Sequence, residues 1–436
     1  MKKVGFYVNH GVEVRYFLLS GLLDEVRKTK EVCLYIHEEH SEILESYKQE
    51  YKVEVKVLPL GAAKRARFEG YIRSFTNARK RVNDVSIYSH FGLISKSRFY
   101  DEIVKISFIS MLGNKLFRFL SKWHYRDKNL IRFLRKEQLS RIYILQYDST
   151  LLKKIGINSA LCNIENYIFI NTLKTLFIDD FVAFPIKKLF AWNEFQNKLF
   201  QSANIGIEKT CFEAKGSPYH AFLAEDDFLY NSEVVEKYSL DIRRPIILYS
   251  LINEKVFGSE HLILEKVSNV LDELFEANEK PQLIIRRNPF EQNTQHLSFI
   301  AKLKNVIIAD HYWERDEPRS WSIQGIPGEM EWRSFLQIAS LSMNIPSMST
   351  IDSLVCCTPV ITVGFNALGE YNHEVDHLIN SPFNKDFNKS DFVFECNTLD
   401  SFKLNILNSI NLKQKNTLEQ IRNSLELEIN KIDFFL

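Results

Sequence analysis

Short apolar runs alternate with segments of helical periodicity along most of this chain. Near the N-terminus, the apolar runs 3–9, 31–38 and 52–60 are separated by amphipathic segments. Parallel strands need a long crossover connection, so this βαβαβ order predicts a parallel sheet with helices on both faces. The same order restarts at 245–251, after the polar segment 225–245, and therefore predicts a second α/β domain.

Further apolar runs extend both predicted sheets. The first half contains strand-like runs at 85–92, 141–148, 187–194 and 206–218. The second half contains them at 281–291, 304–310, 341–347 and 358–365. A length of 436 residues suits two domains. We expect these at 1–236 and 243–436, with a helical insert at 100–137 and a mostly helical tail from Ser390.

Composition argues against several classes of protein. The net charge of +1 provides no global field for nucleic acid, so no nucleic-acid partner is expected. The cysteines form no CxxC pair, which argues against a zinc site and against a disulfide framework. The N-terminal apolar run is too short for a signal peptide, and no run reaches the roughly 18 apolar residues of a membrane span. We therefore expect a cytoplasmic protein.

The insert is basic and amphipathic. Its basic residues are Lys115, Arg118, Lys122, Arg126, Lys128, Arg132, Arg135 and Lys136. Aromatic residues and leucines lie between them, and the acids of this segment are Asp127 and Glu137. Such a helix either lies on an anionic membrane surface or exposes a solvated basic face, and both interpretations stay open. The first predicts peripheral contact with the inner face of the cell membrane through 113–136.

Hydroxyl side chains are concentrated where a predicted strand meets a predicted helix. In "NIPSMSTIDSL", Ser347, Ser349 and Thr350 precede or begin the helix. The start of a helix offers unpaired N–H groups and a partial positive charge, both of which favour a phosphate. The alternative is a helix N-cap with no bound ligand. Arg286 and Arg287, at the end of another strand, suit a diphosphate or an ion pair with Glu291.

These motifs together resemble one known family. The order of a strand, "PSMSTIDSL" and "TPVITVGF" resembles the C-terminal domain of GT-B glycosyltransferases, in particular those that build bacterial capsule, lipopolysaccharide and other surface polysaccharides. "LIIRRNPFE" resembles the family's R-x-H-P segment, with Asn288 in place of the histidine. "GSP" at 216–218 resembles the end of the N-terminal domain. Cys357 stands where a glycine is usual.

The resemblance implies a fold and an activity. The fold is α/β, with two Rossmann-like domains facing a central cleft and helices at the C-terminus. The first domain would bind the acceptor, and the second would bind the nucleotide sugar. The implied reaction is metal-independent transfer of a hexosyl or ulosonic-acid residue to a glycan or lipid-linked acceptor, with no cofactor. The alternatives are a nucleotide-sugar 2-epimerase, a polyol phosphotransferase with a CDP-linked donor, and an inactive partner in a polysaccharide complex.

The resemblance also assigns site residues. The candidate bases for an acceptor hydroxyl are His10, Glu13 and Asp148, and Asp148 could instead bind acceptor hydroxyls. The candidate nucleotide and phosphate ligands are Arg286, Arg287, Asn288, Ser347, Met348, Ser349, Thr350 and Asp352. The candidates for the ribose or donor sugar are Glu370, His373 and Glu374. His373, Asp376 and His377 are also of metal-binding type, but their spacing implies no firm geometry, and no metal is expected.

Overall fold

The computed structural model of the protein contains two parallel sheets. It describes residues 2–9, 11–61, 66–71, 107–146, 149–170, 182–204, 206–225, 228–252, 257–288, 294–309, 326–380 and 390–412. The strands of the first sheet are β1 Lys3–Val8, β2 Glu31–His37, β3 Glu54–Leu58, β4 Arg141–Gln146, β5 Glu165–Ile170, β6 Lys188–Ala191 and β7 Phe212–Ala214. Those of the second are β8 Ile246–Ser250, β9 Gln282–Arg286, β10 Val306–Ile308, β11 Leu341–Asn344, β12 Val360–Val363 and β13 Val393–Cys396.

Both sheets have the same winding. The order is β3-β2-β1-β4-β5-β6-β7 in the first sheet and β10-β9-β8-β11-β12-β13 in the second. In each sheet the chain moves outward from the first strand and then crosses to its other side, which places a topological switch point beside β1 and beside β8. In open parallel sheets, ligands bind beyond the carboxyl ends of the strands at such points. The prediction of two Rossmann-like α/β domains is confirmed.

Helices and short helical turns connect the strands. The α-helices are Gly11–Glu13, Leu22–Arg27, Leu44–Tyr51, Ser107–Tyr125, Lys128–Glu137, Ser149–Leu161, Glu194–Ala203, Pro218–Ala224, Phe228–Lys237, Glu260–Leu274, Thr294–Ile300, Ile326–Ile338, Met348–Val355, Asp376–Ile379 and Leu399–Ser409. A π-helical segment spans Val14–Leu19, and 3-10 turns span Glu38–Ile43, Lys209–Cys211 and His373–Val375. No helix in the part of the chain described here is long and apolar enough to span a membrane.

The core of the second unit follows from strand alternation. In β8 and β11, the side chains of Ile247, Tyr249, Leu341 and Met343 point to one face and pack in a single apolar cluster. Helix Glu260–Leu274 adds its own apolar stripe to this cluster. Burial of such side chains is the main stabilising contribution to a fold of this kind. β8 also carries apolar side chains on its other face, Ile246 and Leu248, as expected for a parallel strand covered by helices, whereas the other face of β11 carries Ser342 and Asn344.

The structure divides the chain upstream of the predicted linker. The described residues up to Phe222 belong to one compact unit, and Leu223 begins the second, whereas the sequence suggested a boundary between 236 and 243. Helix Phe228–Lys237 is the reason, because its C-terminal end is tied to the second unit. Lys237 Nζ and the neighbouring Tyr238 hydroxyl both donate hydrogen bonds to the Glu331 carboxylate, each at 2.8 Å.

Two strands were absent from the sequence prediction. β5 continues the apolar stretch of helix Ser149–Leu161, so the two elements merge in the sequence pattern. β13 lies in the tail, where the expectation of mostly helical structure from Ser390 is wrong for these residues. The insert is helical over 107–137, as predicted, apart from the short break before Lys128. The predicted strand 85–92 lies outside the described residues, and the cleft implied by the resemblance stays a prediction.

Candidate functional site

A row of polar side chains crosses the carboxyl edge of the second sheet. Arg286 of β9 is paired in register with Ser250 of β8, Ser250 with Asn344 of β11, and Asn344 with Thr362 of β12. Side chains at paired positions of parallel strands point to the same face of the sheet. Arg286 is half-buried, whereas the other three are at most 4% exposed. We call these four residues the polar row.

Three atoms of the polar row lack a hydrogen-bond partner among the residues that the structure describes. They are Ser250 Oγ, Asn344 Nδ2 and Thr362 Oγ1. Leaving a buried polar group unpaired costs about 1–3 kcal/mol, and such groups in native proteins usually serve a ligand, an ordered water or a catalytic purpose. A hydroxyl or an amide nitrogen donates to oxygen, so the row suits an oxygen-rich ligand beside the Arg286 charge.

The helix that begins beside this row is capped. Ser347 is the N-cap of helix Met348–Val355, and its Oγ accepts a hydrogen bond from the Ser349 N–H at 3.3 Å. The Thr350 hydroxyl donates to Asn344 Oδ1 at 3.2 Å. These contacts give Ser347 a capping role and leave Thr350 holding the Asn344 amide in a fixed orientation. The donor side of that amide, Nδ2, is therefore available to a ligand.

Trp332 connects two residues that the sequence predicted for the site. The Arg286 guanidinium lies over the indole ring, 4.0 Å from its centroid. The indole N–H donates to Asp352 Oδ2 at 3.3 Å. Trp332 is 2% exposed, so it fixes both partners from a rigid position. The sequence gave no sign of this contact, because Arg286 and Asp352 come from distant parts of the chain.

Arg287 and Asn288 extend the site beyond β9. Both are half-buried, and Asn288 Nδ2 lies 3.5 Å from the carbonyl oxygen of Leu251, which follows β8. The predicted phosphate ligands therefore meet at one edge of the sheet. Met348 and Ser349 also lie at this edge, in the first turn of the helix.

The loop after β12 holds the three residues predicted for the sugar. Glu370, His373 and Glu374 are all exposed, and the His373 ring packs edge-on against Tyr371 with centroids 4.9 Å apart. Asp376 is already engaged, because its carboxylate accepts hydrogen bonds from the Tyr371 hydroxyl at 2.5 Å and from an asparagine amide four residues later. This engagement argues against its use as a metal ligand. The side chain of His377 lies outside the described part of the chain.

The carboxyl edge of the first sheet also gathers groups that can carry protons. Glu13, 3% exposed, follows β1 in a short helix. Burial raises the pKa of Tyr47 above its usual range, and the nearby charges of Glu50 and Glu13 raise it further. His10 and Asp148, the other predicted bases, lie outside the described residues. The structure thus places one of the three predicted bases at a parallel-sheet edge of the type that binds ligands.

Two histidines that the sequence analysis did not select lie at the same edge. His37 ends β2 and is 6% exposed, and its Nδ1 accepts a hydrogen bond from the Glu39 N–H at 3.2 Å. His40 is 5% exposed, with its ring 6.5 Å from that of His37. The signal was available in the sequence, since "YIHEEH" places a histidine at the end of a predicted strand. Histidine is the side chain best suited to proton transfer near neutral pH.

One group of three side chains of metal-ligating type comes together within the described residues. Cys33 lies on β2, Glu54 begins β3, and Glu137 ends helix Lys128–Glu137. Lys3 Nζ donates to Glu54 at 2.6 Å, and Lys56 Nζ donates to Glu137 at 2.8 Å. Burial raises the pKa of the Cys33 thiol to about 12. The carboxylates are therefore neutralised by lysines and the thiol stays protonated, which describes an ion-pair cluster rather than a metal site.

The comparison with solved structures identifies the fold. A protein from Listeria monocytogenes assigned as a UDP-N-acetylglucosamine 2-epimerase is similar, with 10% sequence identity, a TM-score of 0.55, and 98% of this chain and 91% of that chain covered. The UDP-GlcNAc 2-epimerase of Neisseria meningitidis bound to UDP-GlcNAc has 9% identity, a TM-score of 0.51, and coverage of 98% and 94%. A glycosyltransferase from Rickettsia africae has 12% identity, a TM-score of 0.50, and coverage of 98% and 96%.

These likenesses establish the architecture. The chain has two parallel-sheet Rossmann-like domains, as in GT-B-type proteins. No protein-family model and no curated protein sequence matches the chain. At identities of this size the shared property is the fold, and a function has to be argued from the site.

Proposed function

We propose that the chain is an enzyme that acts on a nucleotide sugar bound at the carboxyl edge of its second sheet. The polar row carries this proposal. Ser250, Asn344 and Thr362 present buried polar atoms without described partners, beside the positive charge of Arg286. A nucleoside diphosphate supplies phosphate oxygens and ribose hydroxyls for such donors. The Neisseria structure with bound UDP-GlcNAc supports a uridine nucleotide as the first ligand to test.

The reaction that the similar structures favour is 2-epimerisation. Two of the three similar structures carry that name. Inverting the configuration at C2 of a UDP-sugar requires removal of the C2 proton and delivery of a proton to the opposite face. Because this C–H bond is not acidic, its electron pair has to form a C1=C2 double bond while UDP leaves C1. Addition of UDP back to C1 then accompanies protonation of C2. Two protein groups of suitable acidity are the simplest means of moving these protons. The first unit offers Glu13, His37 and His40 as buried groups of the required type.

Sugar transfer to an acceptor is the second candidate. The similar glycosyltransferase of Rickettsia africae supports it, as does the resemblance of the sequence motifs. A transferase would use Glu13 or a neighbouring residue as the base for an acceptor hydroxyl, and a lipid-linked acceptor would fit the exposed basic insert. A role in capsule or lipopolysaccharide synthesis belongs to this candidate. A CDP-polyol phosphotransferase is the third candidate, and its nucleotide preference distinguishes it.

Nucleotide binding is tested first, by isothermal titration calorimetry with UDP, GDP, CDP and dTDP. We expect UDP to bind tightest. A preference for CDP would favour the polyol phosphotransferase. Absence of binding by all four nucleotides, with a folded protein by circular dichroism, would overturn the proposal.

The reaction is tested by proton NMR of UDP-GlcNAc incubated with the protein in D₂O. An epimerase exchanges the C2 proton for deuterium and forms a second stereoisomer without any acceptor. A transferase leaves C2 protonated and releases UDP when a glycan or lipid-linked acceptor is added. Each result selects one candidate, and a bound UDP-GlcNAc that undergoes neither change would contradict both.

A further inference from the structure

One helix of the first unit exposes a continuous apolar stripe. Helix Ser107–Tyr125 contains Leu112, Leu116, Phe119 and Trp123, which are 56%, 54%, 67% and 77% exposed. Their spacing of four, three and four residues places them on one face of an α-helix. Large apolar side chains that are exposed together, rather than singly, mark an interaction surface. We call these four residues the exposed stripe.

The surroundings of the exposed stripe are basic. Lys115 and Lys122 are exposed on the same helix, which contains no acidic residue. The exposed basic residues that follow are Arg126, Lys128, Arg132, Arg135 and Lys136.

The two acids of this segment do not offset these charges at the surface. Asp127 caps helix Lys128–Glu137 and pairs with Lys154 at 3.0 Å. Glu137 accepts hydrogen bonds from Lys56 and from the Tyr35 hydroxyl, at 2.8 Å and 2.7 Å. Both carboxylates are therefore neutralised from within the first unit. The outer surface of the insert keeps a net positive charge.

Two cavities lined by residues that the structure describes adjoin the insert, and they share one wall residue. The larger, about 760 Å³, is lined by apolar side chains that include Phe119, Ile157, Phe184 and Ile207, by Glu208, and by the basic residues Arg118, Lys122, Lys187 and Lys188. The smaller, about 520 Å³, is lined by Arg126, Lys128, Ile131, Arg132, Arg135 and Lys136. Leu161 lines both. A stripe residue, a cavity of mixed apolar and basic lining and a mainly basic cavity thus adjoin one another in the first unit.

We propose that the exposed stripe inserts into the interface of an anionic phospholipid membrane, and that the smaller cavity holds a lipid phosphate. Trp and Phe suit the boundary between headgroups and acyl chains, and lysines beside an apolar face extend their charges to the phosphates. The cluster of arginines provides bidentate donors for phosphate oxygens. The proposal does not depend on which reaction the protein catalyses, because it concerns a surface of the first unit alone.

The test is co-sedimentation with two kinds of vesicle, phosphatidylcholine alone and phosphatidylcholine with about 30 mol% phosphatidylglycerol. The full chain should bind the anionic vesicles, and binding should weaken strongly between about 0.05 M and about 0.5 M salt. The double variant F119S/W123S should lose roughly tenfold or more of its partition coefficient because its apolar anchors are gone. Arg132→Gln with Arg135→Gln should lose roughly fivefold for each charge removed.

A matched control comes from apolar residues that are equally exposed elsewhere. Leu229 and Leu404 are 81% and 64% exposed in the second unit, and L229S/L404S should bind vesicles like the unmodified protein. Failure of the unmodified protein to bind anionic vesicles at low salt would overturn the proposal. Equal binding by F119S/W123S would overturn it as well.

Sedimentation velocity tests whether a second copy of the chain covers the exposed stripe instead of a membrane. If the unmodified protein is a dimer that does not bind vesicles, and F119S/W123S is a monomer, the stripe is a self-association surface and the proposal is wrong. Unchanged UDP affinity in these variants separates this result from the nucleotide-binding proposal.

Discussion

Ser250, Asn344 and Thr362 carry polar atoms where apolar side chains would pack at a lower free-energy cost. Each belongs to a buried strand of a sheet whose neighbouring positions are apolar. An unpaired buried hydroxyl destabilises the folded state, so its presence at a sheet edge of the ligand-binding type is better explained by a bound oxygen-rich ligand than by stability. The unpaired hydroxyl lowers the stability of the ligand-free protein but strengthens ligand binding. Because these two effects have opposite signs, measurements of stability and of affinity can separate them.

Removing the unpaired hydroxyls should separate stability from binding. Ser250→Ala and Thr362→Val each delete a buried hydroxyl that has no partner among the described residues. We expect the free energy of unfolding without ligand to stay equal or rise, because no hydrogen bond is lost. UDP affinity should fall by about 1–3 kcal/mol if both hydroxyls contact the ligand. Urea denaturation and calorimetry measure the two quantities.

Ser342 provides the matched control for these variants. It is fully buried on β11, two residues before Asn344 and on the same face, but its Oγ accepts a hydrogen bond from Ser353 Oγ at 2.9 Å. Ser342→Ala should therefore lower the free energy of unfolding by about 1 kcal/mol and leave UDP affinity unchanged. Equal loss of stability in all three variants, with no change in affinity, would contradict a ligand-binding role for the polar row.

His220 should make stability depend on pH. It is 1% exposed, its ring lies 4.6 Å from that of Trp192, and burial lowers its pKa from 6.5 to about 3. Between these two values the unfolded chain binds a proton that the folded chain does not, so the free energy of unfolding should fall as the pH decreases from about 6.5 towards 3. In His220→Gln, the number of protons taken up on unfolding in this pH range should be smaller by up to about one.

The pH experiment uses urea denaturation at a series of pH values. Phe222→Leu is the control, because it alters packing on the same helix as His220 without removing a titratable group and should leave the slope unchanged. The measured quantity is the slope, since the change at position 220 also alters packing against Trp192 and shifts the absolute stability. An identical slope in the unmodified protein and His220→Gln would contradict this prediction.

Sequence reasoning found only part of the polar row and its supports. Arg286, Ser347 and Asp352 stand in local motifs, at a strand end or a helix start, and could be selected from the sequence. Ser250 and Thr362 could not, because a single serine or threonine in an apolar strand has no local signal. Their significance comes from the register between strands that are far apart in the chain, and register is a property of the folded sheet.

At the scale of elements, periodicity predicted most strands and the helical character of the insert. The missed β5 and β13 show the limit: β5 is an apolar strand that closely follows a helix, and β13 is a short strand that contains Glu395 and is flanked by polar residues, so neither stands out from its surroundings. The contacts that hold the insert against the rest of the first unit were equally unpredictable from the sequence. Tyr125 and Lys153 both contact the buried carboxylate of Glu69, although Glu69 lies far from both residues in the sequence.

Breaking this buried ion pair should destabilise the first unit. Lys153 Nζ lies 3.2 Å from Glu69 Oε1, and the two residues are 3% and 2% exposed. Glu69→Gln leaves the lysine charge buried without its counter-charge, and we expect a loss of about 3–5 kcal/mol in the free energy of unfolding. Glu165→Gln, which breaks a surface pair with Lys187 at 3.7 Å, should change stability by less than about 1 kcal/mol. Similar effects of both variants in urea denaturation would show that Glu69 is not an internal anchor.

At the scale of the whole molecule, each unit has its own sheet, so each should unfold as a cooperative body. The division at Phe222 and Leu223 makes helix Phe228–Lys237 part of the second unit, although its sequence gives no sign of this. A change in composition along the sequence shows where a polar segment lies. Tertiary contacts determine which unit a helix in that segment belongs to. The nucleotide site proposed above lies entirely within the second unit.

The unfolding transitions of the two units should therefore respond to different substitutions. Glu331→Gln weakens the hydrogen bonds from Lys237 and Tyr238 and should lower the transition of the second unit, whereas Glu69→Gln should lower that of the first. A ligand that binds only the folded form stabilises it by about 2.7 kcal/mol at a concentration of 100 times its dissociation constant. UDP should consequently raise the transition that Glu331→Gln lowers and leave the other nearly unchanged. Differential scanning calorimetry of the three proteins, each with and without UDP, measures this directly. If UDP instead raised the transition that Glu69→Gln lowers, the nucleotide would bind the first unit, and the polar row would need another explanation.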